Sequence, residues 1–99
     1  MTLAEILEYL EEFGDGALLM EPRQDYDDCI VGIGGRFHDG PLAIYSVERV
    51  LAVLMQDDEV DEETAMEWFD FNIIGAWNGP GTPIYVEESA MRVEKPPAD

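Results

Sequence analysis

The stretch of residues 61–86 constrains the fold most, because three kinds of local structure follow one another within it. Asp61 and the two glutamates after it are typical of a helix N-cap and an acidic first turn. The letters NGPG at residues 78–81 predict a turn. Residues 82–87 then predict a short last strand. A helix, a turn and a strand in direct succession favour a domain that mixes helices with strands.

The first helix is predicted over residues 2–13. Thr2 and Glu5 have the spacing of a capping box, in which each side chain accepts the backbone N–H of the other residue. Apolar residues then recur at helical spacing as far as Phe13, and Gly14 is a natural helix stop. An amphipathic helix with one apolar stripe is therefore expected here.

A second helix is predicted to begin after Ser46, which is a good N-cap, and its apolar stripe continues to Met55. The acidic run at residues 57–59 separates this helix from the third, which starts at about Asp61. Acidic residues interact unfavourably with the dipole at the C-terminus of a helix but stabilise the N-terminus of the helix that follows. The run is therefore expected to stabilise the start of the third helix. The inward face of that helix is predicted to hold Ala65, Trp68 or Phe69, Asn72 or Ile73, and Ala76.

Strands are predicted at three further places. Residues 17–21 form a short apolar run that ends at a proline, and residues 23–28 are polar and turn-like. Residues 29–34 alternate as a strand does, and an Asp-Gly pair leads into another strand at residues 42–45. These two strands are expected to form an antiparallel hairpin with a longer loop.

The predicted fold class is α+β, with an antiparallel sheet of three to four strands and about three helices packed on it. The 99 residues suit a single domain. Its ordered core is expected at about residues 2–87, and residues 88–99 are expected to form a mobile tail. The order of the strands in the sheet cannot be read from the sequence.

The chain carries 23 acidic residues against five basic ones, a formal charge of −18. Nucleic acids and anionic membranes bind clustered Lys and Arg, so neither is expected as a direct partner. A basic protein surface fits the charge better. No apolar run approaches the ~20 residues of a membrane span, and the N-terminus lacks the basic start of a signal peptide. A cytoplasmic protein is therefore expected.

Catalytic and metal-binding patterns are weak in this sequence. The single histidine, His38, falls in a predicted loop, and the single cysteine, Cys29, is expected to be a small buried hydrophobe. The glycine run at residues 32–35 has neither the lysine nor the helix of a phosphate-binding loop. Counted from Asp57, the acidic run lacks the glycine and glutamate of a calcium-binding EF-hand. We expect no enzyme activity, no cofactor and no dedicated metal site.

Three interpretations of the charge remain open: solvated helix faces, adaptation to high salt, and a functional acidic surface. Carboxylates three or four residues apart on a helix lie ~5–6 Å from one another. Rows such as Glu5–Glu8–Glu12 and Glu59–Glu63–Glu67–Asp70 can therefore roughly imitate a phosphate track, which repeats every ~3.4 Å along each DNA strand. Such a surface would occupy a basic nucleic-acid-binding groove.

Three segments in the second half of the chain form a distinctive pattern: EETAMEWFDFN at residues 62–72, GAWNG at 75–79 and the Thr-Pro pair at 82–83. With these segments the chain resembles a family of small acidic proteins common in phages and prophages, whose pattern is E-E-A-x-E-x-F-x-F-N, G-A-x-x-G and T-P. Similar upstream segments extend the resemblance over roughly residues 18–86. The chain departs from the family pattern at three positions. Cys29 and Thr64 stand where the family usually has Ala, and Ser46 stands where it usually has Asp. The resemblance implies a phage-related origin and no known activity, cofactor or catalytic residue.

The leading hypothesis is a non-enzymatic phage-type inhibitor of a host protein that handles nucleic acid, such as a defence complex, in the manner of an anti-CRISPR protein or a nucleic-acid mimic. Its predicted partner-binding residues are Asp57, Asp58, Glu59, Asp61, Glu62, Glu63, Glu67, Asp70 and Trp77. The alternative is an accessory or structural module that associates through exposed aromatic residues, including as a homodimer, with its charge serving solubility or salt adaptation. The aromatic residues in question are Trp68, Phe71 and Trp77.

Overall fold

The computed structural model describes residues 1–14, 16–36, 39–74 and 79–91. The helices are α1 (Leu3–Phe13), α2 (Arg23–Tyr26), α3 (Val47–Leu54) and α4 (Glu62–Phe69), and the strands are β1 (Ile30–Gly34), β2 (Leu42–Ser46) and β3 (Ile84–Val86). Helix α2 runs into a 3₁₀ turn at Asp27–Cys29, α4 continues as a π-helical turn at Asp70–Ile74, and a 3₁₀ turn at Glu88–Ala90 follows β3. The predicted α+β class is confirmed.

The sheet has three strands in the order β1–β2–β3. The predicted hairpin is confirmed, because β1 and β2 pair antiparallel with Ile33 opposite Ala43. Strand β3 pairs parallel to β2, with Tyr85 opposite Tyr45, so the sheet is mixed and the expectation of a wholly antiparallel sheet is corrected. The reason is topological: between β2 and β3 the chain passes through α3 and α4, and such a crossover can return the chain in the same direction.

All three predicted helix caps are confirmed. In α1 the Thr2 hydroxyl accepts the N–H of Glu5 at 3.2 Å while the Glu5 carboxylate accepts the N–H of Thr2 at 3.0 Å. The Ser46 hydroxyl accepts the N–H of Arg49 at 3.2 Å at the start of α3. These contacts join residues three apart in sequence, so each helix start is specified locally.

The prediction of a first strand at residues 17–21 is wrong, because no strand is formed there. Instead, the Leu18 N–H donates to the Gly81 carbonyl at 2.9 Å and the Met20 N–H donates to the Tyr45 hydroxyl at 2.8 Å. A short apolar run also suits a partly buried segment outside any strand, and here one of its hydrogen-bond partners is a side chain. The next segment, predicted as a polar turn, forms α2 and its 3₁₀ turn.

The core lies between the sheet and helices α1, α3 and α4. Ile6 and Leu10 from α1, Val50 from α3 and Phe69 from α4 pack with Tyr45 of the central strand. Tyr45 and Val50 are fully buried. The helices therefore take their positions from their contacts with β2 and its neighbours.

The chain after β3 is attached to α3. The Glu48 carboxylate accepts the backbone N–H of Glu88 at 2.7 Å and of Ser89 at 2.9 Å. The guanidinium of Arg49 forms an ion pair with Glu88 at 2.8 Å. The tail predicted to start at residue 88 therefore begins with a hydrogen-bonded turn, and its residues 92–99 lie outside the described part of the chain. None of the helices within the described ranges combines the length and apolar character needed to cross a membrane.

Candidate functional site

Helix α4, its N-cap Asp61 and the residue that follows it, Asp70, together carry five of the nine predicted partner-binding residues. The inner face of the helix anchors it to the domain. Its N-cap is Asp61, whose carboxylate accepts the N–H of Thr64 at 2.8 Å. That hydrogen bond lowers the pKa of Asp61. Ala65 is fully buried and Phe69 is 3% exposed, so they form the inner face. Of the predicted alternatives Trp68 and Phe69, the structure places Phe69 inward.

The outer side of α4 and the start of the π-helical turn after it present a group of carboxylates that we call the acidic ridge: Glu62, Glu63, Glu67 and Asp70. All four side chains are exposed. With Met66 they line a shallow depression of about 500 Å³. Glu63, Glu67 and Asp70 follow one another at four- and three-residue spacing, which places them along one flank of the helix.

The acidic ridge has no cationic partner in the described part of the domain. Three arginines lie there, and each forms an ion pair elsewhere: Arg23 with Asp27 at 2.8 Å, Arg36 with Asp39 at 3.1 Å, and Arg49 with Glu88 at 2.8 Å. None of the ion pairs between described residues includes a ridge carboxylate. The negative charge of α4 therefore faces solvent without an ion pair to any described arginine.

The predicted site residues before α4 occupy the turn between α3 and α4. Asp57 accepts the N–H of Glu59 at 3.0 Å, so its carboxylate stabilises this turn. Asp58 and Glu59 are exposed in the same turn. Glu59 precedes α4 and does not belong to the helical row predicted for it. Trp77, the remaining predicted residue, lies outside the described residues.

Beside the acidic ridge lies an apolar slot that sequence reasoning missed. Its walls include Val47 and Leu51 from α3, Met66 from α4 and Tyr85 from β3, and its volume is about 280 Å³. Val47 and Leu51 belong to the predicted stripe of α3, but their incomplete burial has no sequence signal. The carboxylates of Asp70 and Glu87 also border the slot.

The other flank of α4 exposes aromatic side chains. Phe71 is 87% exposed and Trp68 is 44% exposed. The side-chain amide of Asn72 donates to the Trp68 carbonyl at 3.0 Å, within the π-helical turn that follows α4. Helix α4 therefore has a carboxylate flank and an aromatic flank on either side of its buried face.

Of the two residues considered for catalysis, Cys29 lies in the described part of the chain. Cys29 is 2% exposed and burial raises the pKa of its thiol, which confirms the prediction of a small buried hydrophobe. His38 lies outside the described residues. Within those residues, no three Asp, Glu, His or Cys side chains converge in a way that could hold a metal ion.

The glycine run at residues 32–35 has a packing role in β1. A Cβ atom added at Gly34 would lie 2.8 Å from the side chain of Ile44, so the absence of a side chain at Gly34 lets Ile44 of β2 pack closely against β1.

Comparisons with protein-family models, with curated proteins and with solved structures found no match to this chain.

Proposed function

We propose that this protein is a non-enzymatic, phage-type inhibitor that inserts the acidic ridge of α4 into a basic, nucleic-acid-binding groove of a host protein. The observation that carries the proposal is the exposed row of ridge carboxylates without a cationic partner among the described residues. The likeness of residues 18–86 to phage proteins supports the phage origin. The host cytoplasm is the compartment in which such a partner would be met.

Charge complementarity explains why such a surface would bind. A groove that holds nucleic acid presents Lys and Arg side chains at phosphate spacing. The ridge carboxylates lie ~5–6 Å apart where they are one helical turn from one another. Attraction over the whole surface speeds association, because a chain of charge −18 is steered toward a positive groove.

The rigid attachment of α4 also favours binding. Ala65 and Phe69 fix the helix to the core, and Asp61 fixes its first turn. The ridge is therefore presented on an ordered backbone before it meets a partner. Such preorganisation reduces the entropy lost on binding, so more of the electrostatic attraction is retained in the affinity.

The test compares two double charge reversals with the same change in net charge. Glu63→Lys with Glu67→Lys alters the acidic ridge. The matched variant Glu8→Lys with Glu12→Lys alters the exposed acidic row of α1, the other row that could imitate a phosphate track, so the comparison tests whether binding belongs to the ridge. Each pair brings the net charge from −18 to −14. The wild type and both variants are immobilised and exposed to a lysate of the host bacterium. Proteins released by salt or by duplex DNA or RNA are then identified.

We expect the wild type and the α1 control to retain the same nucleic-acid-binding protein, and the ridge variant to lose at least roughly a hundredfold in affinity for it. Binding should also weaken as the screening length falls from ~10 Å at about 0.1 M salt to ~3 Å at about 1 M. Affinity that is independent of salt, or an equal loss in both variants, would contradict the proposal.

The aromatic flank favours a second candidate function, self-association as an accessory module. The observation is the exposure of Phe71 (87%) beside Trp68 (44%). Two copies of charge −18 repel one another, so a homodimer should strengthen with added salt, whereas binding to a basic partner should weaken. Light scattering of the wild type and Phe71→Ser at low and high salt separates the two. A dimer that forms at high salt and is lost in Phe71→Ser would favour self-association.

A further inference from the structure

The apolar slot beside the acidic ridge has the size of a side-chain pocket. Its volume of about 280 Å³ is at the small end of the ~300–1,000 Å³ range typical of small-molecule sites. Its walls include Val47, Leu51, Met66 and Tyr85, so an apolar group would be favoured inside it. A single bulky side chain that projects from a partner fits these properties.

Charge at the border of the slot restricts the kind of partner. Asp70 and Glu87 border the slot, and both are exposed carboxylates. Met66 and Asp70 also line the depression of the acidic ridge, so the slot and the ridge form one continuous surface. An occupant that carries positive charge next to its apolar group would therefore be favoured.

The aromatic wall of the slot is held firmly by the core. The ring of Tyr85 stacks on Tyr45 with centroids 5.8 Å apart, and Phe69 meets Tyr85 edge-on at 5.5 Å. Burial raises the pKa of Tyr85 to about 12, so its hydroxyl stays protonated and uncharged even in alkaline solution. A preformed wall of this kind lowers the cost of accepting a side chain.

We propose that the slot receives one bulky apolar side chain from a positively charged segment of the partner protein, whose flanking Lys and Arg pair with Asp70, Glu87 and the acidic ridge. The inference rests on the proposed function and specifies the partner's chemistry. The apolar anchor would supply selectivity among basic proteins, because charge alone attracts any of them.

The experiment uses two fluorescently labelled basic peptides that differ at one position. Both carry Lys and Arg on each side of a central residue, which is Trp in one peptide and Ser in the other. Fluorescence anisotropy measures the affinity of each peptide for the full chain. We expect the Trp peptide to bind at least roughly tenfold more tightly, because its ring leaves water on entering the slot.

Two substitutions on α3 provide the matched comparison. Val47→Phe fills the slot and should abolish the preference for the Trp peptide. Ala52→Phe adds a ring at an exposed position of the same helix that does not line the slot, and it should leave the preference intact. Circular dichroism checks that each variant folds. If Val47→Phe does not fold, Met66→Ser tests the same wall at a side chain that is 48% exposed.

The outcomes separate this inference from the proposed function. Equal affinity for the two peptides, including undetectable binding of both, would overturn the slot inference, as would a Trp preference that survives Val47→Phe. The proposed function is measured independently by the effect of Glu63→Lys with Glu67→Lys on capture of the host protein. A ridge variant that loses the host protein while both peptides bind alike refutes the slot alone.

Discussion

At the scale of single residues, Glu48 shows how one exposed carboxylate can organise a distant segment. It accepts the backbone N–H groups of Ser89 and Glu88, which lie about forty positions later in the chain. These hydrogen bonds lower the pKa of Glu48 from 4.5 to about 2. The carboxylate therefore ties the turn after β3 to the first turn of α3, close to the slot.

The contact predicts a pH dependence of stability. A lowered pKa in the folded state means that the contribution of Glu48 is fully present above pH 4.5 and is lost as the pH falls toward about 2. We expect Glu48→Gln to be less stable than the wild type at neutral pH, with the difference shrinking through this window. Urea unfolding at a series of pH values measures it.

Glu8→Gln serves as the control for this pH dependence. It removes the same charge from an exposed helical position without touching the turn after β3. Its stability relative to the wild type should lack the window found for Glu48→Gln. A difference between the wild type and Glu48→Gln that stays constant from neutral pH to pH 2 would show that the Glu48 contact does not form.

At the scale of elements, α4 and its continuation place two phenylalanines in opposite environments. Phe69 is 3% exposed and packs edge-on against Tyr85. Phe71 is 87% exposed. The two residues are two positions apart, which on a helix directs side chains to different faces.

Truncating these two rings should therefore have very different effects on stability. Phe69→Ala is expected to lower the free energy of unfolding by ~3–5 kcal/mol, because it removes a buried ring and leaves a cavity. Phe71→Ala is expected to change it by less than ~0.5 kcal/mol. Urea unfolding of both variants measures the difference. Similar losses in the two variants would mean that α4 is rotated relative to the structure described.

At the scale of the whole molecule, charge opposes folding. The chain has a net charge of −18, and three ion pairs join described residues. Repulsion among the remaining carboxylates favours expansion of the chain. The apolar core of Tyr45, Val50, Phe69 and their neighbours must overcome it.

Added salt should therefore stabilise the fold. We expect the thermal midpoint to rise steadily from low salt to about 1 M sodium chloride, as screening shortens the range of repulsion from ~10 Å to ~3 Å. Differential scanning calorimetry measures the midpoint. The result also bears on adaptation to high salt, since a chain that folds only in concentrated salt would favour that explanation of its charge. A midpoint that falls with salt would show that net attraction dominates.

The sequence alone was sufficient for features that depend on neighbouring residues. The capping box of Thr2 and Glu5, the N-caps Ser46 and Asp61, and the β1–β2 hairpin were all predicted correctly. Each cap joins residues three positions apart, and the hairpin joins adjacent strands. The exposed carboxylates of α4 were also predictable, because their helical spacing is visible in the sequence.

The tertiary structure decided everything that depends on distant residues. The parallel pairing of β3 with β2 requires the crossover through α3 and α4. Residues 17–21 form no strand, and the sequence could not show this because their hydrogen-bond partners Tyr45 and Gly81 lie far along the chain. The apolar slot joins α3, α4 and β3, and local pattern carries no information about which half-buried side chains such packing brings together.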